Sequence, residues 1–213
     1  MKSLIIILSA VLSLTVNSCV VDTVDSLSEF TFQIPINFGA DYLDRTSPDT
    51  SFDFSHLLKY ETYRENREQI SEAIIYQLNY RIDSLVLEDG VPFGPNSPDL
   101  VFDRIAYKLQ FGKSKLGNTN STEPNDYIPD PDSPKYELGE FVNVSIRDFY
   151  RRSDHILQVP ESTASVISET LKNKPYFYII TEYSKVKGQI EDEVHYPFIN
   201  SKFDVIIRLK VKL

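Results

Sequence analysis

The sequence predicts a mainly β protein: an antiparallel β-sandwich of immunoglobulin-like or jelly-roll type with one or two short helices. Several runs alternate hydrophobic and polar residues with a period of two, which is typical of strands with one face on a core and the other in water. The 213 residues include 13 Tyr and 13 Phe, and these residue types favour pleated, half-buried surfaces. Seven or eight such strands would form two packed sheets, and the strand number alone favours neither topology.

The strands are expected in five alternating runs. The positions predicted to face the core are Phe30, Phe32, Ile34, Ile36 and Phe38; Ile74, Tyr76, Leu78, Tyr80 and Ile82; Val101, Ile105, Tyr107, Leu109 and Phe111; Val142, Val144 and Ile146; and Phe203, Val205, Ile207, Leu209, Val211 and Leu213. The run "PYFYIITEY" predicts one more strand, paired with the terminal one. Because the other face of each run is polar, these are antiparallel strands rather than the doubly buried strands of an α/β fold.

Two segments break the alternation and favour helices. Residues 57–69 combine charges with helix formers, and residues 161–174 place apolar residues at helical spacing before "NKP" ends the segment. The connections are long and rich in Pro, Asn and Asp, above all 117–135, and loops of that length are usually functional or disordered. No internal repeat or change of composition interrupts the chain, so we expect one domain over residues 28–213.

The net charge excludes one class of partner. The chain has 22 Lys and Arg against 31 Asp and Glu, a formal charge of -9, and no clustered basic run. Phosphate backbones would repel such a chain, so we expect no nucleic-acid partner. Electrostatic adhesion to anionic lipid is disfavoured for the same reason.

The first residues have the organisation of a signal peptide. Lys2 precedes an apolar run of 13 residues from Leu4 to Val16. That run is too short to span a hydrocarbon core but has the length of a signal-peptide core. A buried N-terminal helix is the alternative, and the basic residue before the run and the small residues at its end favour the signal peptide.

The end of this run resembles the lipobox of bacterial lipoproteins. Val16-Asn17-Ser18-Cys19 has an aliphatic residue three before the cysteine and a small residue just before it, and Cys19 is the only cysteine. The resemblance implies cleavage before Cys19, thioether lipidation of its sulfur and acylation of the new amino terminus. Residues 1–18 would then be a signal peptide and residues 19–27 a lipidated tether to the membrane.

The residues after the cysteine refine the expected location. Val20 stands where an Asp would indicate retention at the inner membrane of enteric bacteria, so the resemblance favours the outer membrane and leaves periplasmic and surface orientations open. Asp-Thr23-Val and Asp-Ser26-Leu resemble the O-glycosylation motif of Bacteroidota, which makes Thr23 and Ser26 predicted acceptors. The order of elements in the body resembles uncharacterised Bacteroidota envelope lipoproteins, which implies a sandwich and no particular function.

Several common sequence motifs for catalysis are absent. The chain contains no GxSxG, HExxH, GxxxxGK[ST] or GxGxxG, and its 7 Gly leave few phosphate-binding loops. His56, His155 and His195 lack zinc-ligand spacing and are interpreted as ordinary surface or strand-end residues. We therefore expect no cofactor other than the covalent lipid on Cys19.

The loop 117–135 holds the best candidate ligand site. Asp126, Asp130 and Asp132 lie close together around Tyr127, and clustered carboxylates are the ligands that calcium prefers. A solvated, Pro-rich loop without a site is the alternative, because EF-hand spacing is missing.

Four tyrosines are poorly explained by strand alternation: Tyr60, Tyr63, Tyr127 and Tyr150. Tyrosines on loops can stack on a sugar ring or anchor a protein interface. They can also simply cover the end of a sandwich.

These observations predict a lipid-anchored, non-enzymatic protein of the cell envelope that binds a glycan, a peptide or an envelope protein. One alternative is an assembly subunit whose terminal strand 203–213 pairs with a neighbour. Another is a glycoside hydrolase that acts through a pair of carboxylates, since sequence does not reveal the separation of such a pair.

Overall fold

The computed structural model describes residues 29–42, 50–87, 90–117, 121, 123–152, 155–184, 186–187, 194–195 and 198–212. The strands are β1 (Glu29–Tyr42), β2 (Thr50–His56), β3 (Ile70–Val86), β4 (Val101–Ser114), β5 (Tyr127–Pro129), β6 (Tyr136–Ser145), β7 (His155–Gln158), β8 (Tyr176–Tyr183), β9 (Val186–Lys187), β10 (Val194–His195) and β11 (Phe198–Lys212). The helices are α1 (Glu61–Asn66), α2 (Ile146–Phe149) and α3 (Glu161–Asn173), with single 3₁₀ turns at Leu57–Lys59, Arg67–Gln69 and Pro124–Asp126.

One sheet contains β1, β11, β3 and β7 in that order, all antiparallel. β11 pairs along both edges, so that Phe203 lies opposite Phe38 on β1 and opposite Tyr80 on β3. The alternation predicted for β1 and β11 is confirmed up to Lys212. The buried positions are Ile34, Ile36, Phe38, Phe203, Val205, Ile207, Leu209 and Val211, and Phe30 and Phe32 pack partly buried against the same core.

The second sheet is organised around β4. Ile105 of β4 pairs with Phe141 of β6 along one edge and with Tyr183 of β8 along the other. β2 continues the sheet beyond β8, and the short strands β5, β9 and β10 extend it. The two sheets meet through aromatic side chains, as where the ring centroids of Tyr107 on β4 and Phe203 on β11 lie 5.4 Å apart.

The strand order makes this sandwich a jelly roll. Without the short β5, β9 and β10, four strands remain in each sheet. The first strand, β1, pairs with the last, β11, and the second, β2, pairs with β8, the last but one of these eight. This nested pairing is that of a jelly roll, whereas in an immunoglobulin-like sandwich the first strand pairs with the second. The predicted antiparallel β-sandwich is confirmed in its jelly-roll form.

The structure corrects the predicted partner of the terminal strand. β8, which contains "YFYIITEY", pairs with β2 and β4 and not with β11. Because β11 is paired internally along both edges over residues 199–211, it offers no open edge there to a neighbouring molecule. The assembly alternative that required a free terminal strand is therefore wrong.

Two runs depart locally from the predicted alternation. On β6, Val142 is 60% exposed instead of buried, because Asn143 has a φ of 52° and the strand rotates there. Ile146 is buried as predicted, but it begins α2 rather than extending the strand.

On β3, Ala73 and Ile75 face the core, whereas Ile74 and Tyr76 do not. The pairing with β11 is irregular between Ile206 and Ile207. An irregularity of this kind moves the following side chains to the opposite face.

Both predicted helical segments are helical, and α2 is an additional helix. α1 and its flanking 3₁₀ turns occupy 57–69, and α3 occupies 161–173. α3 packs on β3, where the Ser168 hydroxyl accepts a hydrogen bond of 3.3 Å from the Ala73 N–H. Within the described part of the chain, every helix is too short or too polar to span a membrane.

Candidate functional site

The connections gather at two ends of the sandwich. The cleft end is the end at which residues 87–100 connect β3 to β4 and residues 146–154 connect β6 to β7. The tether end is the opposite end, at which β1 begins and β11 finishes, with Glu29 paired to Lys212. Residues 57–69, 115–117 and 123–135 also belong to the tether end.

A cleft of about 430 Å³ opens between the two loops of the cleft end. Its lining combines aromatic rings, prolines and two basic side chains: Pro92, Phe93, Gly94, Pro95, Arg147, Tyr150 and Arg151. Phe93 is buried and packs edge-on against Tyr150, with 5.3 Å between ring centroids. Volume and lining are typical of a site for a small ligand.

Arg147 is held in place by the loop opposite. Its Nη1 donates to the Pro95 carbonyl at 3.0 Å and its Nη2 donates to the Ser97 carbonyl at 2.5 Å. The guanidinium carbon lies 5.6 Å from the centroid of the Phe93 ring, within the range of a cation–π contact. These contacts fix the side chain, and no carboxylate in the described ranges pairs with its positive charge.

The short helix α2 positions Arg147. Ser145 precedes it, and its hydroxyl accepts from the Asp148 N–H at 3.4 Å, as N-cap residues do. The same hydroxyl donates to the Asp99 carboxylate at 3.0 Å, and Asp99 also accepts from the Arg147 backbone N–H at 3.4 Å. Asp99 therefore ties the two loops together through backbone and hydroxyl groups.

Arg151 has a backbone conformation that is unusual for a residue with a Cβ atom. Its φ is 56°, in the left-handed region that costs a non-glycine residue about 1–2 kcal/mol. The Arg151 N–H donates to the Ile82 carbonyl at 2.7 Å, which holds this conformation. The guanidinium carbon lies 5.1 Å from the centroid of the Tyr150 ring. The fold therefore keeps this arginine at a strained position beside the cleft, a feature frequent at functional sites.

The charge of the cleft differs from that of its surroundings. Among the described residues, no carboxylate oxygen lies within 4.0 Å of the side-chain nitrogens of Arg147 or Arg151. Arg81, by contrast, is bonded to Asp83 at 2.8 Å. Two guanidinium groups that no described carboxylate neutralises thus face one cleft in a chain of net charge -9, and an anionic ligand would be attracted there.

The tether end has a different chemistry. The Asp130 carboxylate is 11% exposed and lies 3.8 Å from the Lys113 ammonium and 3.5 Å from that of Lys174. One of its oxygens also accepts from the Asp132 N–H at 3.2 Å. Asp126 accepts a hydrogen bond from Ser121, while the Asp132 side chain is exposed.

The predicted carboxylate cluster is not gathered into a metal site. Nowhere in the described ranges do three His, Cys, Asp or Glu side chains lie together as metal ligands. Asp130 instead connects β4 and the segment before β8 through its two lysines. This arrangement gives Asp130 a structural role in holding the loop.

Three of the four predicted tyrosines are part of the framework. Tyr127 is buried, with its ring centroid 5.3 Å from that of Phe54, and its hydroxyl donates to the Ser121 carbonyl at 2.7 Å. The Tyr60 and Tyr63 hydroxyls donate to backbone carbonyls at 3.3 Å and 3.2 Å. Burial raises the pKa of all three phenols. Only Tyr150 lies in the cleft.

Two of the three histidines, His56 and His155, also have structural contacts. The His56 ring accepts from the Lys59 N–H at 3.1 Å at the end of β2. His155 stacks on Phe149, with 3.6 Å between centroids, and its ring nitrogen lies 3.0 Å from the Asp148 carbonyl. Cys19, Thr23 and Ser26, the predicted sites of lipidation and glycosylation, lie outside the described residues.

Comparison with known proteins yields similarity of fold only. No protein-family model matches the chain, and no curated protein matches its sequence. Among solved structures, a decameric BFDV capsid protein is similar over 85% of this chain and 98% of its own, with 10% identity and a TM-score of 0.35. The VP1 pentamer of Washington University polyomavirus is similar over 86% and 95%, with 8% identity and a TM-score of 0.34. Similarities at this level do not bear on function.

Proposed function

We propose that this protein is a lipid-anchored protein of the cell envelope, and that its jelly-roll body is a non-enzymatic binding module with its ligand site in the cleft. The observation that carries the proposal is the pair of guanidinium groups, Arg147 and Arg151, that face one cleft without a carboxylate partner among the described residues. The side chains are already fixed by the Pro95 and Ser97 carbonyls and by Tyr150. A site organised in this way loses little conformational entropy when a ligand binds.

The lining of the cleft supports binding rather than hydrolysis. A glycoside hydrolase that uses a carboxylate pair needs both groups across the scissile bond. Among the described residues that line this cleft there is no Asp or Glu. Hydrolysis through such a pair has no support from this site.

The position of the cleft suits a protein held by its N-terminus. The 14 residues of β1 run from Glu29 at the tether end to Tyr42 at the cleft end, a length of about 45 Å at the usual strand rise. Glu29 is fixed to the sheet by the Lys210 ammonium at 2.6 Å, and this hydrogen bond is the main cause that lowers the pKa of Glu29. A lipid on Cys19 would hold the tether end near the membrane and present the cleft away from it.

The anchor is tested by Cys19→Ser expressed in a bacterium that processes lipoproteins. The wild-type chain should incorporate labelled fatty acid and partition into detergent, and the variant should do neither. Ser13→Ala, a substitution inside the predicted signal peptide but outside the lipobox, serves as the control. Equal lipid incorporation in wild type and Cys19→Ser would exclude anchoring at this residue. Mass spectrometry of the mature chain tests the predicted glycans on Thr23 and Ser26.

The ligand site is tested with the full mature chain carrying Cys19→Ser, which keeps the body in solution. A component of envelope extract should be retained on this protein. Retention should disappear in the variant that also carries Arg151→Gly and persist in the variant that also carries Arg104→Gly. Arg104 is the matched control, because it is an exposed arginine that already lies 3.6 Å from Glu140. Retention that is equal in the two variants would place the binding surface elsewhere, and cleavage of the retained ligand would show that the protein is an enzyme.

A further inference from the structure

We infer that the cleft recognises an acidic sugar: a sugar ring that carries a carboxylate or a sulfate group. This inference rests on the proposed function, in which the cleft is the ligand site, and adds the chemical class of the ligand. It follows from three properties of the lining: the side-chain N–H donors of Arg151 are available to a ligand, Arg147 adds a second positive charge in a fixed position, and the walls of the cleft are apolar.

Arg151 provides the group that would bind the oxyanion. A guanidinium has five N–H donors in a planar fork that matches the two oxygens of a carboxylate or sulfate. The described contacts of Arg151 are a backbone hydrogen bond to Ile82 and the face of Tyr150. Neither contact uses the side-chain N–H groups, so the fork is available for a ligand.

Arg147 provides positive charge rather than a full set of free guanidinium N–H donors. Two of its N–H groups are already donated to the Pro95 and Ser97 carbonyls, which keeps the loop 92–97 against α2. Its remaining donors and its charge lie on the same cleft as those of Arg151. Arg147 is therefore a positioning residue that also strengthens the positive potential felt by the anion.

The apolar walls fit a sugar ring better than a simple ion. Tyr150, which is half-buried, and the exposed Pro92 and Pro95 line the cleft beside the buried Phe93. The C–H face of a sugar ring can pack on the exposed parts of Tyr150 and the prolines while its charged group reaches the arginine. The volume of about 430 Å³ exceeds what a small inorganic anion fills and lies in the range of sites for small organic ligands.

A nucleic acid and an extended peptide fit less well. The chain charge of -9 opposes a polyanionic backbone. A peptide that adds as a strand needs a row of free backbone groups. In this cleft the Pro95 and Ser97 carbonyls are already hydrogen-bonded to Arg147. A short acidic sugar has no long polyanionic backbone and needs no row of free backbone groups in the protein.

The test compares an acidic sugar with its neutral ester, with a sugar that carries a different oxyanion, and with the free ions. Calorimetry with the full mature Cys19→Ser chain would use trigalacturonic acid, its methyl ester, a sulfated galactose trisaccharide, and acetate and sulfate ions alone. We expect at least one acidic trisaccharide to bind about tenfold or more tightly than the ester, since charge-assisted bidentate bonds are about twice as strong as neutral ones. The free ions should bind more weakly than the sugars that carry them. Binding of the carboxylated sugar alone, or of the sulfated sugar alone, identifies the oxyanion.

Two variants locate the binding. Arg151→Gly should abolish sugar binding, and Arg151→Lys should weaken it about tenfold, because lysine keeps the charge but loses the fork. If neither acidic trisaccharide binds more tightly than the ester, or if affinity is unchanged in Arg151→Gly, the inference is overturned. If no acidic sugar binds while retention of envelope extract still depends on Arg151, the acidic-sugar inference fails and the ligand site stands.

Discussion

The two ends of the jelly roll use their charged residues in opposite ways. At the tether end, Asp130 is nearly buried and faces two lysines, and Glu29 is bonded to Lys210. At the cleft end, Arg147 and Arg151 are exposed, and within the described part of the chain their side chains contact carbonyls and aromatic rings but no carboxylate. The first arrangement neutralises charge within the fold, whereas the second leaves charge available to a ligand.

The difference shows why loop length is a poor guide to function in this fold. The segment 115–135 is long, polar and rich in carboxylates, yet part of it forms β5, and Tyr127 packs under it between Phe54 and Tyr176. The connection 146–154 is shorter and contains a helix of four residues. What distinguishes the second is a cationic pair that the fold does not neutralise.

Alkaline pH should have the largest effect, because it acts on the core that supports both ends. Burial raises the pKa of Tyr80 to about 12, and it raises the pKa of Tyr107 and Tyr183 well above the ordinary value of 10.0. From about pH 10 upward the unfolded chain releases these phenol protons while the folded chain retains them. The free energy of unfolding should therefore be insensitive to these groups below about pH 10. Above that pH it should fall by about 1.4 kcal/mol per pH unit for each tyrosine until the folded pKa is passed.

Urea denaturation at a series of pH values measures this decline. Guanidinium groups stay charged over the same range, so ligand binding at the cleft should disappear together with the fold and not before it. Constant stability between about pH 10 and 11.5 would contradict the assignment of these three phenols to a dry core. Tyr76, which is 36% exposed, provides the control as Tyr76→Phe, which should leave the decline unchanged.

The second largest effect is expected from Tyr127→Ala, which should lower stability at the tether end without changing ligand affinity at the cleft end. The side chain is 3% exposed, and its ring centroid lies 4.6 Å from that of Tyr176. Removal of a buried aromatic ring costs about 3–5 kcal/mol, and we expect about 3 kcal/mol here, measured by urea denaturation. Tyr127→Phe removes only the hydroxyl bond to Ser121 and should cost about 1 kcal/mol. Ligand affinity at the cleft should be unchanged in both folded variants, and a loss of affinity would mean that the ends are coupled.

The fold follows from the sequence where alternation is uninterrupted. On β1 and β11 every second residue from Ile34 to Phe38 and from Phe203 to Val211 is buried, because a strand exposes its two faces alternately. The alternation fails at Val142, where Asn143 adopts a positive φ that no local pattern announces. The pairing of β11 with β1 and β3 joins residues far apart in the chain. Alternation within a strand predicts which of its residues are buried, but not which strands pair with it.

The site follows from the sequence only in part. Tyr150 could be singled out because it interrupts the alternation. Phe93 and Arg147 could not, because they belong to loops about 50 residues apart in the chain that meet only when β4 and β6 pair. The left-handed conformation of Arg151 depends on a tertiary hydrogen bond to Ile82. The run "FYRR" was a usable signal, since two adjacent arginines are uncommon in so acidic a chain.

A smaller effect is expected from Arg151→Gly on stability, in contrast to its effect on binding. Glycine adopts a φ of 56° without the penalty of a Cβ atom, so the free energy of unfolding should rise by about 0.5–1 kcal/mol. Arg104→Gly, at an extended position of β4, should instead lower it by a similar amount. A stabilised protein that no longer binds ligand would show that strain at Arg151 is retained for binding. A loss of stability would mean that the side chain of Arg151 supports the fold.

The smallest effect is expected from calcium, which tests the tether end directly. The Asp130 carboxylate is held by Lys113 and Lys174, so a cation would have to displace two ammonium groups, with Asp126 already bonded to Ser121. We therefore expect the melting temperature to be the same in excess calcium and in chelator. A bound ion at about 100 times its Kd would instead stabilise the fold by about 2.7 kcal/mol. If calcium stabilised the fold, and if this stabilisation were lost in Asp130→Asn but kept in the exposed control Asp103→Asn, the loop 117–135 would be a calcium-binding site after all.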